Sequence, residues 1–102
     1  MATKTKTTKK AAPKYVVVRT YSAGVHCGEL GARAGEDVEI KNCRRIWSWK
    51  GRYTLNEVAN HGVGAGSNVS EPVDSNILTG AIEILSCSAE AEANLRAAKW
   101  GT

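Results

Sequence analysis

The chain has 102 residues, of which 42% are hydrophobic and 24% are charged. That length gives room for one folded domain, and that composition is typical of a globular protein, which excludes global disorder. The formal net charge is +4, and no apolar run approaches the roughly 18 residues that a membrane-spanning helix needs.

Residues 1–14 form a lysine-rich segment that we predict to be a disordered N-terminal arm. It contains no acidic residue and no large apolar side chain after Met1, so nothing in it can drive burial. Its five lysines are Lys4, Lys6, Lys9, Lys10 and Lys14. The remainder, residues 15–102, holds nine of the 14 Lys and Arg residues and all ten Asp and Glu residues. We therefore predict a single, nearly neutral globular domain over 15–102, with an arm that either aids solubility or binds nucleic acid.

The first half of the domain has the β-branched, alternating pattern of strands. Residues 15–21 predict one strand, and a turn over residues 22–24 leads into a second strand over residues 25–33. Two glycines inside the second strand predict a bulge or the close approach of another backbone. A third strand follows at residues 37–41, where apolar side chains alternate with charges, which is typical of a half-buried strand.

Residues 41–53, KNCRRIWSWKGRY, contain five cations and three aromatic side chains but no acid, and we call them the basic segment. Strand alternation places Cys43, Arg45, Trp47 and Trp49 on one face and Arg44, Ile46, Ser48 and Lys50 on the other. A cation beside a flat ring is how proteins hold a phosphate and a base, or a carboxylated ring. Tryptophan is also the largest core residue. The pattern leaves both options open: a stacking surface, or a tryptophan core with the cations of the other face exposed.

The basic segment is followed by a predicted helix and a predicted loop. Thr54 and Glu57 have the spacing of a capping box, which predicts a short helix that Gly62 ends. Residues 61–75 are rich in glycine and small polar residues without apolar periodicity, which predicts a long loop.

The C-terminal part completes an α+β, mostly β, fold. Residues 77–86 predict another strand, and Ser88 caps a predicted C-terminal helix over residues 89–99. We expect a small curled antiparallel sheet or barrel of about five strands, with a short inserted helix and a C-terminal helix. The exposed edges of so small a sheet predict a homo-oligomer.

The cysteines and histidines do not define a catalytic or metal site. Cys27, Cys43 and Cys87 are odd in number and form no C-x-x-C pair, which indicates free thiols in a reducing compartment such as the cytoplasm. A nucleophilic pair could join Cys27 or Cys43 with His26 or His61. The alternative, which we adopt, is that each cysteine is a small buried apolar residue. No spacing suits zinc, so we predict no metal and no cofactor.

Three stretches carry a resemblance to other proteins: residues 21–30 (YSAGVHCGEL), 42–51 (NCRRIWSWKG) and 81–87 (AIEILSC). They are similar to a family of short, functionally unassigned proteins encoded by tailed bacteriophages and prophages, over most of the chain after the arm. In that family alanine commonly stands at the position of Cys43, which weakens a catalytic role for this thiol. The resemblance implies a phage accessory protein that acts in the bacterial cytoplasm, or a minor virion component.

We therefore expect a non-enzymatic, oligomeric protein that binds an anionic ligand or a host factor, for example to sequester a nucleotide signal or inhibit host defence. The expected ligand-binding residues are Arg44, Arg45, Trp47, Trp49, Lys50, Arg52, Tyr53, Tyr21 and His26. Two alternatives remain: a virion decoration protein, and a nucleic-acid-binding protein that uses the arm together with the basic segment.

Overall fold

A computed structural model describes residues 14–101, so the predicted arm lies outside the described residues except for Lys14. In chain order the elements are β1 (Tyr15–Thr20), β2 (Val25–Ala34), β3 (Asp37–Ser48), α1 (Leu55–His61), β4 (Asn68–Val69), β5 (Val73–Leu78), β6 (Ala81–Ser86) and α2 (Ala89–Ala97). The protein is mostly β, with six antiparallel strands in one sheet and two short helices, which confirms the predicted fold class. Of the two predicted forms, the open curled sheet is the one found, because the sheet is not closed into a barrel.

The sheet is organised around the long strand β3. The strand order is β4-β3-β2-β1-β6, and β5 also pairs with β3. The outer edge of β3 accommodates both short strands because β5 pairs with residues 38–43 and β4 with residues 46–48. Strands β5 and β6 lie at opposite edges although only residues 79–80 separate them in the chain, so the sheet has to curl. The Ala81 N–H donates to the Glu36 carbonyl at 2.9 Å, which ties the start of β6 to the β2–β3 turn.

The central strand β1 is buried on both faces. On one face Val17 packs with Leu95 of α2 and with residues of α1, and we call this cluster the helix-side core. On the other face Val18 packs with Leu78 of β5 and Ile84 of β6, so this second cluster lies inside the curl between the two edges. Each fully buried valine stabilises the fold by roughly 1.5–3 kcal/mol relative to an exposed one.

The two glycines of β2 mark a close approach of β3, as predicted. A Cβ atom at Gly28 would lie 2.8 Å from the Lys41 carbonyl oxygen, and one at Gly31 would lie 3.0 Å from the Glu39 carbonyl oxygen. The register shifts beside both positions. Asn42, which stands opposite this irregularity, has a positive φ of 50°. Only a residue without a side chain allows β3 to pass this closely.

The capping box of α1 is confirmed. The Thr54 hydroxyl accepts from the Glu57 N–H, the Glu57 carboxylate accepts from the Thr54 N–H, and Gly62 follows the last turn. Helix α2 begins after Ser88 as predicted but ends at Ala97, because the backbone becomes extended at the next residue.

Two predictions about the second half were wrong. Residues 61–75 are not one loop, because they contain β4 and the start of β5; a two-residue strand and an edge strand of mostly exposed side chains carry no apolar periodicity. Residues 77–86 are not one strand, because a turn at residues 79–80, with Gly80 at a φ of 71°, separates β5 from β6. Over the part of the chain that the structure describes, no helix is long and apolar enough to span a membrane.

Candidate ligand site at the end of β3

Arg44 of the basic segment is built into the fold. Its side chain is only 8% exposed, and Nε donates to the Ser70 carbonyl at 2.8 Å. Nη1 donates to the carbonyls of Leu95 at 2.6 Å and Arg96 at 3.0 Å, and Nη2 donates to that of Ala98. These carbonyls stand at the end of α2, where a helix leaves acceptors unpaired and carries partial negative charge. Arg44 therefore neutralises the C-terminus of α2.

Arg52 has the same role for α1. Its Nε donates to the Gly62 carbonyl at 2.9 Å and its Nη2 to the His61 carbonyl at 3.4 Å. Two of the five cations of the basic segment thus cap the two helices and are not available to a ligand in this conformation. The sequence shows these arginines but not their capping role, because that role depends on which residues of the basic segment face the helix ends in the folded chain.

The two tryptophans of the basic segment do not share one face. Alternation holds through Trp47, whose side chain is 67% exposed. Strand β3 ends at Ser48, and Trp49 turns to pack partly buried against the helix-side core. The prediction of one aromatic face is therefore wrong at Trp49, because the strand ends before it.

Arg45, Trp47 and Trp49 nevertheless meet at one concavity, which we call the hairpin groove. It measures about 370 Å³, and its opposite wall is the β1–β2 turn, residues 22–25. Arg45 is exposed and forms no ion pair with an acid among residues 14–101. A smaller recess of about 270 Å³ lies on the other side of Arg45 and includes Glu71.

The β1–β2 turn, which forms the opposite wall of the hairpin groove, is held in place by the side chains of Thr20 and His26. The Thr20 hydroxyl donates to the Gly24 carbonyl at 2.8 Å and accepts from the Ala23 N–H at 2.8 Å. His26 is 1% exposed, and its Nε2 contacts the Ala23 carbonyl at 2.9 Å. Since a carbonyl only accepts, Nε2 carries the proton. His26 is therefore a support of the groove, not a ligand contact, and Thr20 is a second support that the sequence analysis did not identify.

The other predicted site residues lie away from the groove. Tyr21 is 84% exposed and Tyr53 is 95% exposed, and neither lines it. The stem of Lys50 lies against Gly66, where a Cβ atom would be 3.3 Å from Lys50 Cδ. Of the nine predicted residues, the structure brings together Arg45, Trp47 and Trp49.

Cys43 and His26 are adjacent but not activated. Cys43 Sγ lies 3.7 Å from His26 Nδ1. Burial raises the pKa of the Cys43 thiol and, as the largest of several causes, lowers the pKa of the His26 imidazole. Both shifts favour neutral forms, so the pair is a thiol beside an imidazole and not a thiolate–imidazolium nucleophile. Among residues 14–101 no group of three His, Cys, Asp or Glu side chains is arranged to hold a metal ion.

These features define a small β-rich domain, an open curled sheet with two helices on one face and a recessed aromatic and cationic surface at one end. The sequence profile of one family matches residues 13–95, and the chain belongs to that family, which is described as Domain of unknown function (DUF6948). No curated protein and no solved structure matches the chain.

Proposed function

We propose that this protein is a non-enzymatic binder of a small anionic ligand that carries a flat ring, and that the hairpin groove is its binding site. The observation that carries this proposal is the exposed Arg45, without an acidic partner among the described residues, beside the exposed indole of Trp47. The groove volume of about 370 Å³ lies at the lower end of the range for ligand pockets.

Each side chain of the groove has a defined task in this proposal. The Arg45 guanidinium offers paired N–H donors to a phosphate or carboxylate, a geometry that lysine cannot reproduce. The Trp47 indole stacks on the ring of the ligand, an interaction worth roughly 1–3 kcal/mol per base in single-strand binding proteins. The supported turn gives the opposite wall a fixed shape, which lowers the entropic cost of binding.

The setting that we propose is a phage accessory protein in the cytoplasm of a bacterial host, where the ligand is a nucleotide signal or another host anion. The similarity of three sequence stretches to small tailed-phage proteins supports this setting. An acidic host protein is the weaker candidate, because a stable protein interface needs roughly 800 Å² per partner and the groove is a confined recess.

The test is calorimetric titration of the full chain with nucleoside monophosphates, aromatic carboxylates and the uncharged nucleosides. We expect the anions to bind and the neutral nucleosides to bind at least roughly tenfold more weakly. Arg45→Ala and Trp47→Ala should each reduce affinity by a similar factor. Lys41→Ala, an exposed cation of the same strand, and Tyr53→Ala, an exposed aromatic residue, are the matched controls and should bind normally.

The proposal fails if no anion binds, or if Arg45→Ala and Lys41→Ala have equal effects. Deleting residues 1–13 distinguishes small-anion binding at the hairpin groove from the alternative of nucleic-acid binding through the arm. If the arm carries the function, the deletion should weaken DNA or RNA binding and reduce its salt dependence, and mononucleotides should bind neither the full chain nor the shortened one.

We also propose that copies associate through the open edge of β5. Val73 is 50% exposed and Ile77 is 68% exposed on this edge strand, and nothing among residues 14–101 pairs with its outer side. An antiparallel pairing of two β5 strands would give a two-fold symmetric dimer. Sedimentation of the full chain and of Ile77→Lys is the test: a dimer that Ile77→Lys dissociates supports the edge, and a monomer at all concentrations rejects it.

A further inference from the structure

A second concavity is larger than the hairpin groove. It lies beside the end of α2, measures about 890 Å³, and is lined by residues of β1, β3, the β4–β5 connection and the C-terminal residues. Tyr15, Val69, Pro72 and Trp100 contribute its apolar and aromatic surface. We call it the terminal groove.

Trp100 is held by its backbone while its ring stays outside the core. The residue forms an isolated antiparallel bridge with Asn68, and the next N–H, of Gly101, donates to the Ser67 carbonyl at 3.0 Å. The Trp100 side chain is nevertheless 59% exposed. A large exposed ring on a backbone that is already held in place provides a flat surface for a ligand, and only the side chain has to be ordered on binding.

Two of the cations that line the terminal groove are already paired with other groups of the protein. Arg96 lies 4.6 Å above the centre of the Tyr15 ring and is paired with Glu92 at 2.9 Å and Glu29 at 3.0 Å. Arg44, at the base of the groove, binds the carbonyls at the end of α2 and offsets the negative end of that helix.

Lys99 is the remaining cation of the lining. It is exposed and has no ion pair with an acid among residues 14–101. Glu71 is the one acidic residue among the described residues that line the groove. Since Arg44 and Arg96 are already paired, Lys99 is the cation of the groove that is free to meet a negative charge, and it stands next to Trp100 in the chain.

We propose that the terminal groove is a second binding site, which takes a small amphipathic acid. The aromatic or acyl body of the ligand would lie against Trp100, Val69 and Pro72, and its carboxylate would pair with Lys99. The groove volume falls within the range of about 300–1,000 Å³ for small-molecule sites. This site is separate from the hairpin groove and does not depend on the function proposed for it.

The test uses naphthoate as the probe and nuclear magnetic resonance of the three tryptophan indole N–H groups of the full chain as the readout. We expect naphthoate to shift the Trp100 signal, and the uncharged naphthyl methanol to bind roughly tenfold more weakly because it lacks the charge for Lys99. Affinities are measured in the Trp47→Ala background, because the hairpin groove is also proposed to take aromatic acids. In that background Trp100→Ala should abolish saturable binding and Lys99→Ala should weaken it by a similar tenfold factor, while Lys50→Ala leaves it unchanged.

The variants are expected to fold, because Trp100 and Lys99 are both exposed, and the dispersion of the remaining amide signals checks this. The proposal is overturned if naphthoate shifts no indole signal, shifts only that of Trp47, or binds the Trp47→Ala, Trp100→Ala double variant as well as it binds Trp47→Ala. Equal affinity for naphthoate and naphthyl methanol overturns the assignment of Lys99.

Discussion

Arg44 and Arg45 are neighbours in the chain and have opposite roles in the molecule. Arg44 faces the helix-side core and donates to four carbonyls, three of them at the end of α2. Arg45 faces the other side of β3, is exposed, and borders two recesses. The tryptophans that follow divide in the same way, with Trp47 exposed and Trp49 packed against the core. The basic segment is thus divided between residues that support the fold and residues that form its surface. The positions of the helix ends separate the arginines, and the end of β3 separates the tryptophans.

The largest expected effect is the loss of stability in Arg44→Ala. The substitution leaves helix-end carbonyls without a donor and a cavity in place of the guanidinium, so we expect the free energy of unfolding to fall by about 3 kcal/mol or more. Arg45→Ala removes an exposed side chain and should change it by less than about 0.5 kcal/mol. Urea unfolding of the two variants measures both values.

Arg44→Lys sharpens this comparison. Lysine keeps the charge but cannot reach four carbonyls with a planar fork, so an intermediate loss is expected. If Arg44→Ala and Arg45→Ala are equally stable, the capping role of Arg44 is wrong.

A second comparison uses the two tryptophans. Trp49→Ala removes part of the packing against the helix-side core and should lower the free energy of unfolding by about 2 kcal/mol, less than for a fully buried tryptophan. Trp47→Ala should leave stability within about 0.5 kcal/mol of the original chain and act on ligand binding alone. A larger stability loss for Trp47→Ala than for Trp49→Ala in the same urea experiment would contradict the assignment of faces.

Local signals predicted much of this fold and little of the site. The β1 pattern, the β2 glycines and the capping box at Thr54 act through neighbouring residues, and the structure confirms each of them. The division of the basic segment depends on long-range contacts: Arg44 reaches carbonyls more than 50 residues away in the chain, and alternation cannot show where β3 ends. Strands β4 and β5 were missed because a short strand and an exposed edge strand have no apolar period.

Arg52→Ala should have a smaller effect than the Trp49 change. Its guanidinium caps the end of α1 at a partly exposed position, and loss of such a cap is worth about 1 kcal/mol. The decrease should appear in the urea midpoint, with the slope of the transition unchanged because the same surface is exposed on unfolding. Lys50→Ala, two residues earlier and without a capping contact among residues 14–101, is the matched control and should leave the midpoint in place.

The smallest expected effect links Arg45 to the buried His26 through pH. Burial lowers the pKa of His26 below its ordinary value of 6.5, and the positive charge of Arg45 lowers it further, against a raising effect of the Ala23 carbonyl. Below about pH 6.5 the unfolded chain therefore takes up a proton that the folded chain does not, and stability falls as the pH decreases towards the folded pKa. Above about pH 6.5 His26 is neutral in both the folded and the unfolded chain, and its stabilising contribution is fully present. We expect the free energy of unfolding to decline as the pH falls below about 6.5, and His26→Gln should reduce this decline. Arg45→Ala should make the decline shallower, whereas Lys41→Ala should not. An identical decline in the original chain and in these three variants would show that the protonation of His26 does not cause it. It would also show that the charge of Arg45 does not act on His26.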